Sequence, residues 1–397
     1  MAEADRGPGT PAGVASGRVR RLAVPIPLVD LAAQHRALER PLREAIGRVL
    51  ETSRFILGEE VEAFEREFAA FCGVKHAVGV GSGLDALALS LRALGVGRGA
   101  EVLVPANTFI ATALAVSAAG GTPVLVDVDP ERYTMDPDLA ARAVTKKTRA
   151  LIPVHLYGQS ADMEPLRELA RRKGIAVVED ACQAHGAALN GARCGAMSDA
   201  GCFSFYPTKN LGALGDGGMV VTDRDDVAEQ VRRLRDCGRR GKDAHALKGV
   251  NSRLDALQAS VLRLKLRHLA RWNEARRRHA MHYGEALKDL PVATPVEARG
   301  ATHVYHLYVV RAARRDELMR HLEGVGITCG IHYPVPIHLQ EAYADLERPA
   351  GSYPVTERLA GEVLSLPMYP EMADSDVDRI CAAIAAFYGP PAHGGGA

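Results

Sequence analysis

The chain contains no apolar run of about 18 residues, so nothing in it reads as a membrane-spanning helix. An excess of one charge is missing as well. Forty-nine Lys and Arg face 48 Asp and Glu, a net charge of +1. That balance provides no field for nucleic acid or an acidic membrane as main partner. Cysteine is present without a pattern: Cys72, Cys182, Cys194, Cys202, Cys237, Cys329 and Cys381 are odd in number and include no Cys-x-x-Cys. Met1 to Arg21, rich in Gly, Pro, Ala and Arg, lacks the apolar core of a signal peptide. The cysteines therefore read as reduced and the chain as cytoplasmic. Cys182, His185, Cys194 and Cys202 match no standard zinc spacing, so no metal is expected. Lysine is scarce too: Lys75, Lys146, Lys147, Lys173, Lys209, Lys242, Lys248, Lys265 and Lys288 are all there are. Most sit beside other charges. Lys209 does not.

What is present is a globular chain of 397 residues, 47% hydrophobic, longer than a single core of typical size. From Ala77 to Val221, short β-rich runs alternate with helical patterns. Strands are expected at Ala77–Val80, Val102–Val104, Val124–Val126, Leu151–His155, Ile175–Glu179, Cys202–Phe205 and Met219–Thr222. Helices are expected at Leu84–Leu94, Ile110–Ala119 and Met163–Lys173. The class is α/β with a mostly parallel sheet covered on both faces, and a ligand belongs outside the carboxyl ends of its strands. Beyond Arg224 the pattern predicts a helix at Val227–Arg235 and an aperiodic stretch from Arg239 to Gly249. One long helix follows from Leu254 to about Leu287, then strand, helix and strand at Val304–Val310, Asp316–Leu322 and Ile327–Ile331. These divide the chain into a large domain at 25–250 and a smaller α+β domain at 251–388, with disordered tails at 1–24 and 389–397. A helical stretch at Leu28–Leu50 is placed beside the small domain.

Chemistry collects after the strands. Lys209 lies between Phe203-Ser204-Phe205-Tyr206 and a glycine-rich run. Shielding from water lowers a lysine pKa, and a neutral amine can form a Schiff base with an aldehyde. A snorkelling surface lysine is the alternative. Gly81-Ser82-Gly83-Leu84-Asp85-Ala86 follows a strand and opens a helix, the geometry of a phosphate site. It also fits a dinucleotide fingerprint formally, but Glu101 precedes the next strand instead of ending it. Asp180, at a strand end, suits either a turn cap or a partner for a pyridinium nitrogen, with the Gln183 amide nearby. Phe109 suits either the core or a stacking platform. A phosphate cradle, a stacking ring, an acid and an amine together meet the requirements of pyridoxal phosphate.

The ordered motifs carry a further signal. They are Gly-Ser-Gly-Leu-Asp-Ala-Leu at 81–87, Pro-Ala-Asn-Thr-Phe-Ile-Ala-Thr at 105–112, Val-His-Leu-Tyr-Gly-Gln at 154–159 and Glu-Asp-Ala-Cys-Gln-Ala-His-Gly at 179–186. Ser-Phe-Tyr-Pro-Thr-Lys-Asn-Leu-Gly at 204–212, Gly-Val-Asn-Ser-Arg-Leu-Asp at 249–255 and His-Tyr-Pro-Val-Pro-Ile-His-Leu-Gln at 332–340 complete the series. With them, residues 26–388 resemble the DegT–StrS nucleotide-sugar aminotransferases. The resemblance implies fold type I of the pyridoxal-phosphate transferases and pyridoxal 5′-phosphate as cofactor, with pyridoxamine 5′-phosphate as its intermediate form. By the same resemblance Lys209 forms the Schiff base, Asp180 meets the pyridine nitrogen, and Gln183 lies against the ring or its 3-hydroxyl. Phe109 stacks on the ring, and Ser204 holds phosphate with the backbone of Gly83 and Leu84. Asn251 reaches the cofactor of a second subunit, which implies a homodimer with shared sites. His332 and Tyr333 either line the sugar side or pack under a proline turn. The motif forms are most similar to enzymes aminating C3 of a dTDP-linked 3-keto-6-deoxyhexose with L-glutamate as donor. A 4-keto nucleotide sugar or a keto-cyclitol are the alternatives. A pyridoxamine-dependent dehydratase is opposed by Lys209, since such relatives carry histidine there. Residues 236–243 depart from the pattern in lacking the expected aromatic side chains.

Overall fold

The computed structural model describes residues 24–389, so all but the inner end of each expected tail falls outside the described residues. Seven strands form the main sheet: β1 (His76–Val80), β2 (Glu101–Pro105), β3 (Thr122–Val126), β4 (Thr148–Leu151), β5 (Ala176–Asp180), β6 (Ala200–Ser204) and β7 (Gly218–Thr222). Their spatial order is β1-β7-β6-β5-β4-β2-β3. All neighbouring pairs are parallel except those of β7, which runs antiparallel to both β1 and β6. Near-continuous apolar runs such as Val102-Leu103-Val104 are fully buried, as a sheet covered on both faces requires.

One face packs under helices Gly83–Ala93 and Ala111–Ala118 through residues such as Leu87, Leu91 and Val116. The other face packs under Glu59–Cys72, Met163–Lys173 and Ala256–Leu266 through Phe64, Phe68, Leu166 and Leu262. A third core gathers Tyr283, Tyr308, Leu318, Leu364 and Ile380, and Ile26 joins it by a parallel bridge to Ile327. That bridge ties the described N-terminus to the C-terminal part of the chain.

Several expected elements differ from those observed. The strand expected at Leu151–His155 ends at Leu151. Pro153 has no N–H to donate to the ladder, and only Val154 keeps a bridge, to Asp180. The long helix from Leu254 is two helices, Ala256–Leu266 and Leu269–Leu287. The first packs on the sheet and the second on the third core, and the break between them lets each serve its own core. The stretch Leu28–Leu50 is likewise two helices, Leu31–Ala37 and Glu39–Thr52. Leu38 and Leu42 pack there against Val261 and Trp272. In the C-terminal part Tyr308–Arg311 pairs with Val363–Leu366, and the two-residue strand Ala301–Thr302 pairs with Ala188–Leu189. Residues 327–331 form only isolated bridges, at Ile327 and Gly330. The aperiodic 239–249 stretch holds a short hairpin, Arg239–Arg240 with Ala244–His245.

Glu179, next to the end of β5, is wholly buried. Its carboxylate accepts from Gly195 N at 2.7 Å, Met197 N at 2.7 Å and His155 Nε2 at 2.8 Å, with Ser198 Oγ also at 2.8 Å. His155 Nδ1 accepts from Ala161 N at 3.0 Å, so the ring proton is on Nε2. Removing the carboxylate strands buried donors. Glu179→Ala is therefore expected to lower the unfolding free energy by about 3–5 kcal/mol. Urea denaturation followed by circular dichroism reads this, and a loss below about 1 kcal/mol would remove Glu179 as an anchor of β5.

Candidate active site

The ends of β1, β2, β5 and β6 converge on one crevice. Ser82 caps the helix that follows β1, its Oγ accepting from Asp85 N at 3.1 Å. Gly83 opens that helix in close contact with β6 and β5. A Cβ at Gly83 would lie 2.7 Å from both Cys182 Sγ and Ser204 Cβ, and one at Gly218 would lie 2.2 Å from Ser82 O. Only glycine allows this approach. The helix N–H groups and the Ser204 hydroxyl are thus brought to one place, and Leu84 stays partly exposed beside them. The residues present fit a phosphate group held at a helix N-terminus. Gly83→Ala is expected to displace the turn and weaken cofactor binding about tenfold, or about 1.4 kcal/mol. Absorbance titration of cofactor-free protein measures it, and unchanged affinity would take the phosphate away from this turn.

Asp180 is the last residue of β5 and is 6% exposed. Its Oδ2 accepts from Thr112 Oγ1 at 2.8 Å, and its Oδ1 accepts from Cys182 N at 3.2 Å. The turn-capping role is therefore real, and the carboxylate is also oriented from β2's side of the crevice. Thr108 Oγ1 lies 3.0 Å from Thr112 Oγ1. Sequence reasoning passed over Thr112, which lies in the first turn of the helix Ala111–Ala118. Phe109 is 51% exposed, which excludes the core reading.

Lys209 follows β6 in a tight turn, its N–H donating to Tyr206 O at 2.9 Å. The side chain keeps some accessible surface, yet enough protein surrounds the amine that desolvation lowers its pKa from the usual lysine value. The nearby Cys182 and Asp180 pull the other way. Burial, then the Asp180 charge, pushes the Cys182 thiol well above its ordinary range, leaving it protonated and inert.

The far wall is built from Gln183, Tyr157, His332 and Tyr333. Gln183 Oε1 accepts from Tyr157 N at 2.8 Å, and its Nε2 donates to Tyr333 Oη at 3.0 Å. Both ends of this amide are engaged by protein. The rings of Tyr333 and Phe109 lie 5.4 Å apart. Tyr157, also passed over from sequence, donates its hydroxyl to His332 O. His332 Nδ1 lies 2.8 Å from Ser365 Oγ. Burial, then the Lys209 charge, brings the His332 pKa down to about 4, so the ring is neutral at ordinary pH. The two residues are packed, and Tyr333 lies against Phe109 at the crevice.

Asn251 is exposed and bridges to Asp236. Its neighbour Ser252 contacts the phosphate turn from outside, with Oγ 2.9 Å from both Gly81 N and Asp85 Oδ2. The hairpin at 239–245 carries exposed Arg239, Arg240 and Lys242 in the region where aromatic residues were expected.

A lysine amine, a buried carboxylate, an exposed aromatic ring and a helix N-terminus are thus assembled at one crevice, and together they fit pyridoxal phosphate. Comparison with known proteins agrees. Residues 37–385 match the DegT/DnrJ/EryC1/StrS aminotransferase family. The chain is 51% identical over 362 residues to the erythromycin biosynthesis sensory transduction protein EryC1 of Saccharopolyspora erythraea, covering 91% of this chain and 99% of that one. It is 51% identical over 360 residues to a dTDP-3-amino-3,4,6-trideoxy-alpha-D-glucose transaminase of Streptomyces venezuelae, covering 90% and 95%. The crystal structure of S. venezuelae DesV in complex with a ketimine intermediate superposes with a TM-score of 0.91 at 50% identity, covering 93% of this chain and all of that one. This chain belongs to the DegT/DnrJ/EryC1/StrS aminotransferase family, whose enzymes use pyridoxal 5′-phosphate.

Proposed function

We propose that the amino group passes from L-glutamate to C3 of a dTDP-linked 3-keto-6-deoxyhexose, in the biosynthesis of an aminodeoxysugar. The observation that carries this reading is the 51% identity to the transaminase of Streptomyces venezuelae, whose name specifies a 3-amino sugar on dTDP. Bound pyridoxal phosphate supplies the electron sink that makes the amine exchangeable. The chain's residues do the rest. Lys209 holds the cofactor and, when displaced, moves a proton as general base and then acid; its lowered pKa suits both tasks. Asp180 keeps a ring nitrogen protonated, and Thr112 fixes that carboxylate in place. The N-terminus of Gly83–Ala93 and Ser204 hold the phosphate. Phe109 stacks on the ring, and the neutral His332 with Tyr333 faces the sugar.

The same reading includes a homodimer in the cytoplasm, with Asn251 serving the partner's site. Exposed Phe55, Ile56, Leu214 and Val250 support it. Ile56 bridges to Asp255 and Leu214 N donates to Gln258 Oε1, which gathers these residues around the start of Ala256–Leu266, near Asn251. Clustered exposed apolar side chains mark an interface.

A regulatory role is favoured by the name of the S. erythraea relative. The packed Gly83 turn and the set of Lys209 and Asp180 favour a catalyst. The deciding experiment supplies L-glutamate with a panel of 3-keto and 4-keto nucleotide sugars and a keto-cyclitol. The new amine is located by NMR, and ping-pong kinetics are expected. Amination at C4 or of the cyclitol overturns the substrate assignment, and no amination with any acceptor favours the regulatory role.

A further inference from the structure

Behind Lys209 runs a buried polar chain that the roles above leave unused. Asn210 is 3%, Asn273 8% and His306 7% exposed. Asn273 Nδ2 donates to the carbonyl of His185 at 2.8 Å. A backbone carbonyl only accepts, so this contact fixes which end of the Asn273 amide is nitrogen and turns its Oδ1 toward Asn210. Asn210 Nδ2 donates to that Oδ1 at 2.9 Å and to the carbonyl of Val304 at 3.0 Å. Asn210 Oδ1 therefore points the other way, where it lies 3.2 Å from His306 Nδ1. An amide oxygen cannot donate, so the imidazole proton is on Nδ1 and Nε2 carries a lone pair. Two backbone carbonyls, through two amides, dictate a histidine tautomer. Desolvation, followed by the charge of Lys209, holds the His306 pKa well below the ordinary histidine value, so the ring is neutral.

The turn that carries Lys209 is held at a second point. Gly212 O accepts from the buried Lys265 Nζ at 2.8 Å. A Cβ at Gly212 would lie 2.2 Å from Pro207 O, so the turn closes tightly on itself. Asn210 is thus the link from this turn to helix Leu269–Leu287 and to residues 304–306.

We propose that Asn210 is a positioning residue for Lys209: it registers the lysine turn against these elements and holds His306 as the neutral Nδ1–H tautomer, leaving Nε2 as an acceptor. The consequence is both geometric and electrostatic. A misplacement of about 1 Å costs about 100-fold in rate, and an imidazolium close to Lys209 would disfavour the charged lysine.

The inference rests on Lys209 being the cofactor-binding lysine, but its first test does not. Holoenzyme labelled with ¹⁵N-histidine is examined by NMR near pH 7.5, with His306 assigned by the signals lost in His306→Gln. A protonated Nδ1 with unprotonated Nε2 is expected; an Nε2–H tautomer or an imidazolium overturns the proposal. The second test compares Asn210→Ala and Asn210→Asp with wild type. The bound cofactor's visible absorbance should persist, with its pH midpoint shifted by about one unit. The kcat should fall about 10- to 100-fold while KM for glutamate changes less than about twofold. Folded variants with unchanged midpoint and kcat, and only a lower melting temperature, would reduce Asn210 to packing and overturn the proposal. Persistence of the lysine-bound absorbance in Lys209→Ala would instead defeat the underlying assignment while leaving the tautomer measurement intact.

Discussion

Lys209→Ala is expected to abolish the visible absorbance of the lysine-bound cofactor and to cut turnover with L-glutamate by about four orders of magnitude. The residue has two tasks, and alanine performs neither. It provides the amine that tethers the cofactor, and it provides the base and acid that move the proton between donor and cofactor. The fold should be unaffected. Desolvation lowers the Lys209 pKa, which means that the folded state does not gain from the charged amine there. Circular dichroism and a melting curve close to wild type would confirm that the loss is chemical. Absorbance spectra with added cofactor and single-turnover assays with glutamate make the measurement. Full transamination by this variant would overturn the assignment of Lys209.

Asp180→Asn is expected to keep the cofactor bound while lowering kcat about 100-fold. An opposite charge at close range shifts a pKa by about one to three units, so losing it takes the protonated ring nitrogen down by about that power of ten. Asparagine keeps the size of the side chain but cannot preserve both contacts unchanged. Thr112 Oγ1 and Cys182 N each use one of the two carboxylate oxygens, and one of these becomes an amide nitrogen. The phosphate turn is untouched, so affinity from absorbance titration should change little beside kcat. A variant that binds poorly but reaches wild-type kcat at saturating cofactor would make Asp180 an anchor only.

Much of this architecture is legible in the chain. The helix at Met163–Lys173 is observed with the expected bounds, because its apolar spacing and the following Gly174 are both local signals. The strands of the main sheet are equally plain, since burial on both faces demands uninterrupted Val, Leu and Ile. Pro153 carried the correction to the fourth strand in its own chemistry. The helix Glu59–Cys72 was also there to be read, with Val61, Phe64, Phe68 and Cys72 buried and glycine at both ends. The break at residues 267–268 was not. No proline or glycine marks it, and the helical periodicity passes across it, because the two halves answer to different cores.

The site divides in the same way. Lys209, Asp180 and the Gly83 turn were recognisable from residue type and position, since a strand end followed by a turn has few uses for a lysine or an acid. The sequence alone settled the class of fold and of cofactor chemistry, because those depend on residue types at short, ordered spacings. Tertiary structure alone decided that Phe109 is exposed, that both ends of the Gln183 amide are engaged, and that Thr112 orients Asp180 across 68 positions. It alone decided the tautomer of His306, 96 positions from Asn210. Hydrogen bonds of that kind join segments whose separation in the chain carries no signal, and their direction is set by whichever backbone carbonyl the fold happens to bring alongside.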